Sequence, residues 1–511
     1  MKREGTSSNG VSPVVKEPNI LIIFPDQMRY DCMSPSGNRI VKTPHLQRLA
    51  DEGVTFDGAF ASYPLCCPFR ASLMTGKYAH GHGIYQNHFP LRANQEFLAE
   101  RLGEFGYQTF YVGKWHLEGG PNPGFVPRER RFGFDRFAGF NRGHQYFEGV
   151  FWRDCDRPYR CNRFQPYFQT DHFIEFVDEI LECENEEPFF GIVSYGPPHH
   201  PNDMPEYWRN MYGPAEVILP PGVLSWEEQQ RILLDLLEFD CQGNMKAAPK
   251  SRCGTESKPQ LEPETEDELR KFISEYYGMI SCIDYNIGRI LAHLESRGII
   301  DDTLVIFLSD HGDMLGEHGY FCGSKSQGHR SAMQVPLIVR YPKRFAAGTR
   351  SEALVDVGID TPVTLLELVG AKPLREADGV SFLPILDGRA EKVREAIMYQ
   401  RFQMNDGARG EFTPVPERGI RTKEWLYVRQ PERRKSLFDQ EADPAELNNL
   451  VNDPSYAELM DLFDERINSH MEATGDDWHL HLDFPPENFL SHEAARQHLR
   501  RDLLPRAIAI P

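Results

Sequence analysis

The segment NILIIFPD, Asn19–Asp26, gives the strongest indication of how this chain folds. Its apolar residues, Ile20 to Phe24, form an unbroken run without polar alternation. Such a run is typical of a parallel β-strand buried on both faces, whereas a strand with one solvated face alternates between apolar and polar residues. The run ends at an acidic residue, Asp26. We therefore predict a central strand whose carboxyl end carries a functional group.

Three other segments share this apolar body and polar end. They are YQTFYVGKWH (residues 107–116), PFFGIVSYGPPHH (residues 188–200) and TLVIFLSDHGD (residues 303–313). Helix-like segments cover residues 45–53, 97–106 and 268–298, and the last keeps apolar residues three to four positions apart. This alternation predicts an α/β fold, in which a large mixed, mostly parallel sheet is sandwiched by helices.

The ends of the predicted strands carry polar motifs. In open α/β sheets, ligands bind in the crevice beyond the carboxyl ends of the strands. Four such ends read PDQ, GKWH, PPHH and SDHG. Any one of them alone is as consistent with a solvated loop as with a site. Four together at one edge of the sheet indicate a functional site.

The chain changes character near residue 395. Before this point, the polar residues 242–265 predict a surface insertion. After it, RGIRTKEWLYVRQ (residues 418–430) and KSLFDQEADPAELNNL (residues 435–450) indicate short antiparallel strands followed by a turn and a helix. We predict a flexible N-terminal tail (1–17), a main α/β domain (18–395), and a C-terminal subdomain and tail (396–511). The subdomain is expected to be a small α+β unit with a short antiparallel sheet.

Composition narrows the class of function. The 511 residues carry a net charge of −20, and 40% of them are hydrophobic. An acidic chain is a poor binder of nucleic acid, but a local cluster of basic groups can still bind a small anion. The polar N-terminus lacks a signal-peptide core, and no apolar run is long enough to span a membrane. We therefore expect a cytoplasmic protein whose ten cysteines are mostly reduced thiols.

The segment CCPFRASLMTG, residues 66–76, contains the most specific group of reactive side chains. Cys66 precedes a probable helix start, and Arg70 follows four residues later. A thiol at a helix N-terminus beside an arginine has a lowered pKa and is a candidate nucleophile. Taken alone, however, these residues favour a buried cysteine pair at a helix start.

The pattern Cys-x-Pro-x-Arg followed by Met-Thr-Gly resembles the signature of type I sulfatases, which belong to the alkaline phosphatase superfamily. Together with the strand-end motifs, the resemblance extends from about residue 19 to about residue 450. It implies that a maturation enzyme oxidises Cys66 to formylglycine and that Cys67 is the variable position. It also implies that one hydroxyl of the hydrated aldehyde attacks sulfur, that the other then expels sulfate, and that Arg70 orients the two hydroxyls.

The resemblance implies one divalent metal ion beside Cys66. Its ligands would be Asp26, Gln27, Asp310, His311 and the residue made from Cys66. Oxygen ligands favour calcium, and the single imidazole leaves magnesium or manganese open. Without the resemblance, strand-end aspartates are more often caps of turns or helices. Many sulfatases carry Asp-Asp and Asp-Asn here, whereas Asp-Gln and Asp-His are more similar to phosphonate monoester hydrolases and choline sulfatases.

Five further residues receive roles from the resemblance. Lys114 and His116, two apart on a segment expected to be extended, would face the same side. Lys114 would bind a sulfate oxygen, and His116 would assist the proton removal that expels sulfate. His199 would serve the leaving group as a general acid, and Lys325 would hold the bridging oxygen. Asn87 resembles a substrate-binding amide of the phosphonate hydrolase branch.

Several other residues near these motifs have no chemistry assigned to them. His80, His82 and His318 occupy family-like positions, and we expect them to be packing or loop-fixing residues. The segment SQGHRS after Lys325 departs from the aromatic and glutamate element that is common in the family. His329 and Arg330 are therefore candidates for a different substrate subsite.

These expectations predict a sulfuric ester hydrolase that converts a sulfate monoester into an alcohol and sulfate. Two alternatives stay open, a phosphonate monoester or phosphodiester hydrolase that uses the same site, and a non-catalytic protein that binds a sulfated ligand. The GKWH motif (residues 113–116) and Lys325 favour sulfate, whereas the two metal pairs favour phosphorus esters. The expected substrate is a small-molecule or saccharide sulfate ester. Its alcohol (sugar, choline or aryl) would be selected by residues 121–171 and the C-terminal subdomain.

Overall fold

The computed structural model describes residues 17–87, 89–119, 122–183, 187–225, 265–320, 322–402 and 416–478. Its strands are β1 Asn19–Asp26, β2 Val54–Phe56, β3 Ala59–Phe60, β4 Gln108–Lys114, β5 Arg136–Phe140, β6 Val150–Arg153, β7 Tyr159–Arg160, β8 Phe189–Pro198, β9 Thr303–Leu308, β10 Leu337–Arg340, β11 Thr349–Ser351, β12 Val355–Asp356, β13 Ile397–Arg401, β14 Glu417–Arg421, β15 Trp425–Arg429 and β16 Arg434–Asp439. Its α-helices are α1 Pro44–Asp51, α2 Cys66–Thr75, α3 Ala79–His82, α4 Leu98–Glu104, α5 Gln165–Leu181, α6 Glu206–Arg209, α7 Glu266–Ser296, α8 Arg330–Met333, α9 Val357–Val369, α10 Leu383–Leu386 and α11 Ala457–Thr474. The insertion expected at residues 242–265 lies outside the described residues except for Thr265.

A ten-stranded mixed sheet forms the centre of the molecule. Its order is β11-β2-β10-β9-β1-β8-β4-β5-β6-β7. The five central strands β9, β1, β8, β4 and β5 run parallel, and antiparallel pairs occur toward both edges. This arrangement confirms the predicted α/β class with a large, mostly parallel sheet. It also brings the polar ends of β1, β4, β8 and β9 to one edge.

Strand β1 is buried on both faces, as its unbroken apolar run predicts. Ile20 and Ile22 belong to one hydrophobic core, together with apolar residues of α2, α4 and α9. Leu21 and Ile23 belong to a second core, together with residues of α1, α5 and α7. Burying each of these aliphatic side chains stabilises the fold by about 1.5–3 kcal/mol. The strand is therefore held in register from both sides, which fixes the position of Asp26 at its end.

The long helix α7 crosses one face of the sheet and has a well-defined start. The hydroxyl of Thr265 accepts a hydrogen bond from the backbone N–H of Glu268 at 3.2 Å. Glu266, Asp267 and Glu268 in the first turn place negative charge at the positive end of the helix dipole. The sequence predicted a helix over residues 268–298, and the structure has it two residues earlier at each end.

A separate four-stranded antiparallel sheet, β13-β14-β15-β16, lies near the C-terminus. On one face Tyr399 and Val428 pack with Phe60 and Met333 of the main body. On the other face the apolar residues Ile420, Tyr427 and Leu437 pack against α11. The predicted short antiparallel sheet is therefore confirmed, and it lies between the main body and a helix.

The helix expected within residues 435–450 lies further along the chain, at α11. Side-chain hydrogen bonds hold the intervening residues in turns. Asp439 accepts from the backbone N–H groups of Glu441 and Ala442, and Asp443 accepts from that of Asn448. Aspartate side chains that bond nearby N–H groups compete with helix formation, so the helix begins only at Ala457.

Two further predictions concern the whole chain. Within the described ranges, no helix is both long and apolar enough to cross a bilayer. The eight cysteines that the structure describes are all free thiols, as expected for a chain without a disulfide framework.

Candidate active site at the carboxyl edge of the sheet

Cys66 is the first residue of α2 and is only 1% exposed. Its Sγ lies 3.2 Å from Nε2 of His311, 3.6 Å from Oδ1 of Asp26 and 3.4 Å from Nζ of Lys325. The N-terminus of a helix carries a partial positive charge that favours a negative group placed there. Cys66 is therefore at the meeting point of two strand ends, the loop that carries Lys325 and one helix dipole.

Four side chains at this edge form a candidate metal centre. One ligand atom each from Asp26, Cys66, Asp310 and His311 lies within 4.8 Å of the other three, and all four residues are buried. Nδ1 of His311 is 2.9 Å from the carbonyl oxygen of Gly312. Because a carbonyl only accepts, Nδ1 carries the proton and the lone pair of Nε2 faces the cluster. Two carboxylates and one available imidazole nitrogen fit a divalent cation.

Gln27 lies at the border of this cluster. Its backbone has a φ of 70°, and its Oε1 accepts a hydrogen bond from Lys325 at 2.9 Å. Its Nε2 donates to Asp313 at 2.7 Å, so the amide oxygen is the end that faces the site. The predicted ligand Gln27 is thus brought to the cluster, where its oxygen bonds to the same ammonium group that faces Cys66.

Three buried cations surround the two carboxylates. Nζ of Lys114 lies 2.6 Å from Oδ2 of Asp26, and Nη2 of Arg70 lies 3.3 Å from the same oxygen and 3.4 Å from Asp310. Burial raises the pKa of Asp26, but Lys114, Arg70 and Lys325 outweigh it and hold that pKa well below its usual value. The described cations outnumber the carboxylates, so the pocket favours an anionic ligand.

Cys66 and its neighbour Cys67 differ in acidity. Burial and Asp26 raise the pKa of Cys66, but nearby Lys325 and Lys114, together with His311, outweigh them and lower it. Burial raises the pKa of Cys67 far above its usual value. A thiol reacts through its thiolate, so these environments make Cys66 the reactive member of the pair.

His199 and Lys325 form a hydrogen-bonded pair next to Cys66. Nδ1 of His199 is 2.6 Å from the carbonyl oxygen of His200, so Nδ1 carries a proton. Nε2 of His199 is 2.8 Å from Nζ of Lys325 and therefore accepts from the ammonium group. Burial, His144 and Lys325 hold the pKa of His199 well below its usual value. In this arrangement Lys325, rather than His199, presents the proton.

Two predicted residues reach the site in a different way than expected. Strand β4 ends at Lys114, and His116 has a φ of 61°, so the two do not share one extended segment. The backbone oxygen of His116 accepts a hydrogen bond from the thiol of Cys67. Asn87 directs its side-chain oxygen to the backbone N–H of Cys67, at 3.1 Å. Asn87 therefore caps the first turn of α2 and fixes its orientation.

Sequence reasoning missed some residues that shape the site. The ring of His144 stacks on that of His199 at 3.7 Å between centroids, and Tyr146 donates to the backbone oxygen of His199. Ser194 accepts from Arg70 at 2.8 Å. No short motif identifies these residues, because their roles depend on how the loop after β5 folds over β8. The only available signal was the polar stretch NRGHQY after an apolar strand.

Two of the histidines expected to fix loops, His80 and His82, form hydrogen bonds away from Cys66. Nε2 of His82 is 3.2 Å from the hydroxyl of Ser72, and Nδ1 of His80 is 2.8 Å from the amide of Gln400. Neither contact involves the residues around Cys66. His318 lies in a separate cluster with His329.

Comparison with known proteins shows which families this chain is similar to. A family model described as Sulfatase matches residues 18–371, and one described as N-sulphoglucosamine sulphohydrolase, C-terminal, matches residues 316–473. The chain is 30% identical to an ulvan-active sulfatase of Formosa agariphila, over 90% of this chain and 82% of that protein. It is 26% identical to an N-acetylglucosamine-6-O-sulfatase of Bacteroides thetaiotaomicron, over 90% of this chain and 88% of that protein. A phosphonate monoester hydrolase structure from Agrobacterium radiobacter superposes with a TM-score of 0.69 at 25% identity, over 90% of this chain and 96% of that one.

The fold and the site define a hydrolase of the alkaline phosphatase superfamily. Because the first family model covers more than half of its residues, the chain belongs to the sulfatase family. It is a sulfuric ester hydrolase, which releases sulfate from sulfate monoesters. The family implies a metal ion and a formylglycine in general, and the cluster around Cys66 fits both.

Proposed function

We propose that this sulfatase acts on sulfate monoesters of carbohydrates and that Cys66 is the precursor of its nucleophile. The carbohydrate part is supported by the two sulfatases to which the chain is similar over 90% of its length, one named for ulvan and one for N-acetylglucosamine 6-O-sulfate. The assignment of Cys66 is supported by its position at the start of α2 and its contacts with Asp26, His311 and Lys325.

A divalent cation would be held by Asp26, Asp310 and His311, with Gln27 and the residue at position 66 completing the set. We propose calcium, because oxygen atoms predominate among these ligands. When present, the cation supplies positive charge for the ester oxygens, and formylglycine supplies an oxygen nucleophile in place of the thiol. Metal analysis of the purified protein, followed by chelation and return of calcium, magnesium or manganese, tests the choice of ion.

The side chains of the chain itself would bind and orient the sulfate group. Lys114 and Arg70 already face the oxygens of Asp26 and Asp310, so their positive charge is available at the centre of the site. Held by fixed dipoles in a buried pocket, such cations stabilise developing negative charge without reorganisation. His116 is proposed to take up the proton released when sulfate is expelled.

Lys325 and His199 would serve the leaving group together. In the structure the ammonium group of Lys325 donates to Nε2 of His199, so one proton is shared by the pair. We propose that this proton passes to the alcohol oxygen as the S–O bond breaks and that His199 orients the donor. This assignment gives the donor role to Lys325, whereas the sequence suggested His199.

The observation that carries the proposal is the group of ligand atoms from Asp26, Cys66, Asp310 and His311, all within 4.8 Å of one another. Replacing Cys66 with Ala should abolish turnover of an aryl sulfate while leaving the melting temperature nearly unchanged. Cys67→Ala is the matched control, since Cys67 is equally buried and one position away. Mass spectrometry of the peptide with residue 66, from cells that contain the maturation enzyme, should show formylglycine. An unmodified thiol in active protein, or full activity in Cys66→Ala, would contradict the assignment.

A phosphonate monoester hydrolase is the second candidate, favoured by Gln27 and His311 in the two metal pairs and by similarity to a phosphonate hydrolase structure. The two candidates differ in the ester that is cleaved faster. Comparing kcat/KM for an aryl sulfate and an aryl phosphonate monoester decides between them. We expect the sulfate ester to be preferred, and a thousandfold preference for the phosphonate would reverse the order of the candidates.

A panel of sulfated sugars tests the carbohydrate proposal. We expect release of sulfate from sulfated mono- or oligosaccharides with a higher kcat/KM than from choline sulfate. Sulfate release can be measured by ion chromatography, with Cys66→Ala as the background. Equal activity on every ester would indicate that the alcohol is not recognised.

A further inference from the structure

A second cluster of metal-binding side chains lies apart from the site around Cys66. It consists of His318, His329 and Glu446, and one ligand atom of each lies within 4.8 Å of the other two. Glu446 is 2% exposed, and the two histidines are half-buried. Two imidazoles and one carboxylate are a ligand set that binds zinc, with the fourth position left to water.

The contacts inside this cluster show how the three side chains face one another. Nδ1 of His329 is 2.9 Å from Oε2 of Glu446. The ring of His318 stacks on that of His329 at 3.9 Å and 14°. Among the described residues the His318 ring has this stacking contact and no hydrogen-bonding partner. An ion between His329 and Glu446 would replace the proton that they share, and His318 would supply the third ligand once its ring tilts from the stack.

The required movement is small. Zinc binds nitrogen and oxygen at about 2.0–2.2 Å, so tetrahedral ligand atoms are separated by roughly 3.3 Å. His329 and Glu446 are already slightly closer than this, and since all three ligand atoms lie within 4.8 Å of one another, His318 has to approach by at most about 1.5 Å. Rotation about the side-chain bonds of one half-buried histidine provides such a movement without a change in the backbone.

The groups behind the cluster hold the ligands in place. Glu446 forms a buried ion pair with Arg421 and also accepts from the backbone N–H of Arg330 at 3.0 Å. The backbone N–H of His318 donates to the carbonyl oxygen of Gly222 at 2.8 Å. Outer contacts of this kind orient metal ligands and raise the affinity of a site.

A cavity borders the cluster of His318, His329 and Glu446. A cavity of about 240 Å³ is lined by His318 and Glu446 together with Arg29, Asp31, Glu317 and Arg330. The carboxylates of Asp31, Glu317 and Glu446 in its lining attract a cation. The catalytic cluster is not among its lining residues.

We propose that His318, His329 and Glu446 form a second metal site, which binds zinc with a water molecule as its fourth ligand. His318 and His329 lie on either side of Lys325 in the sequence, and Glu446 follows the C-terminal sheet. An ion bound by all three therefore ties both ends of the segment that carries Lys325 to the C-terminal part of the chain. This site would act in addition to the metal centre at Cys66 and would not require sulfatase activity for its detection.

Zinc binding to the full chain tests this proposal. The protein is dialysed against zinc in the presence of excess calcium, and metal content is measured by mass spectrometry for wild type, His318→Gln and His318→Gln/His329→Gln. We expect one more zinc per chain in wild type than in either variant. The affinity of this site should fall at least about a hundredfold when a ligand is lost, since even outer contacts contribute ten- to a hundredfold.

His293→Gln is the matched control, because His293 pairs with Asp178 at 2.8 Å and belongs to no potential metal-binding group among the described residues. It should keep the additional zinc. Cobalt provides a second measurement, since a tetrahedral site gives strong visible absorption that the His318→Gln variant should lose. Melting curves in chelator identify any variant that fails to fold, and His318→Gln alone leaves the Glu446–Arg421 pair intact. Equal zinc content in wild type and His318→Gln, or equal loss in His293→Gln, would overturn the proposal.

Discussion

The imidazole of His144 lies flat against that of His199, at 3.7 Å between centroids and 9° between planes. We expect His144→Ala to lower kcat roughly ten- to a hundredfold with little change in KM, because a misplaced catalytic group costs rate more than binding. His172→Ala is the control, since His172 is a buried imidazole that packs on Phe168 away from the site. Steady-state kinetics on an aryl sulfate measure both. If the two variants lose equal activity, the stack has no special role.

At this scale the sequence motifs predicted which residues lie together at the edge of the sheet, but not which side chains contact them. Cys66, Asp26, Asp310 and His311 were found because each lies in a short motif at the end of a strand or the start of a helix. His144 was missed, because stacking depends on how two loops distant in sequence fold together. Asn87 was found as a residue of interest, yet its oxygen caps α2, a contact that no spacing reveals.

At the scale of elements, Gly113 determines how closely β4 approaches β8. It has a φ of 108°, and a Cβ placed there would lie 2.1 Å from the carbonyl oxygen of Ser194. We expect Gly113→Ala to destabilise the protein by at least about 2 kcal/mol, since both overpacking and a strained φ carry a cost. Because Lys114 follows directly, kcat should fall as well. Urea denaturation and kinetics measure the two effects.

Gly103 in α4 is the matched control for this substitution. A Cβ at Gly103 would meet nothing within 4 Å. Alanine in an exposed helical position is more favourable than glycine by about 0.5–1 kcal/mol, so Gly103→Ala should stabilise the protein slightly. A loss of stability in Gly103→Ala, or none in Gly113→Ala, would contradict this account of the two glycines.

Helices α1 and α7 meet at Asp284, whose carboxylate accepts from the backbone N–H groups of His45 and Leu46. Burial raises the pKa of Asp284 from 3.8 to about 7. The folded protein therefore keeps this proton up to neutral pH, while the unfolded chain loses it near pH 4. Since the folded state binds more protons in this window, the contribution of Asp284 to stability falls as pH rises from about 4 to about 7.

Asp284→Asn keeps the acceptor oxygen and removes the titration. The difference in free energy of unfolding between variant and wild type should shift by about 1–3 kcal/mol in favour of the variant when the pH is raised from 5 to 8. Urea denaturation of both proteins at the two pH values measures the change. The comparison cancels the contribution of His45, whose pKa is lowered by burial in both proteins. A difference between the proteins that does not depend on pH would contradict the raised pKa.

The elements themselves were predictable to within a few residues where one kind of pattern dominates. The apolar run of β1 gave its bounds because a strand buried on both faces is apolar along its whole length. The position of α11 was not predictable, because side chains of Asp439 and Asp443 hold the preceding residues in turns. His116 also departed from the pattern, since its φ of 61° ends the extended segment at Lys114.

At the scale of the whole molecule, the C-terminal sheet is joined to the catalytic edge of the main sheet. Ser326, next to Lys325, has a φ of 67° and donates its backbone N–H to the carbonyl oxygen of Pro64 at 2.9 Å. Its own carbonyl oxygen accepts from the hydroxyl of Tyr399, at 2.8 Å. The boundary predicted at residue 395 stays a prediction, but these contacts give the later part of the chain a role in placing Lys325.

Removing the Tyr399 hydroxyl tests whether the C-terminal sheet helps to position Lys325. Tyr399→Phe should cost about 0.5–1.5 kcal/mol of stability, the usual value of one hydrogen bond, and lower kcat several-fold because Lys325 is less firmly placed. Tyr427→Phe removes a similar bond, to Asp464 at 2.7 Å, on the face of the same sheet that packs against α11. It should lose a similar amount of stability and keep its kcat. Melting curves and kinetics on both variants measure these effects. Because the two hydroxyls lie on opposite faces of the sheet, a fall in kcat shared by both variants would assign the effect to the stability of the sheet rather than to the position of Lys325.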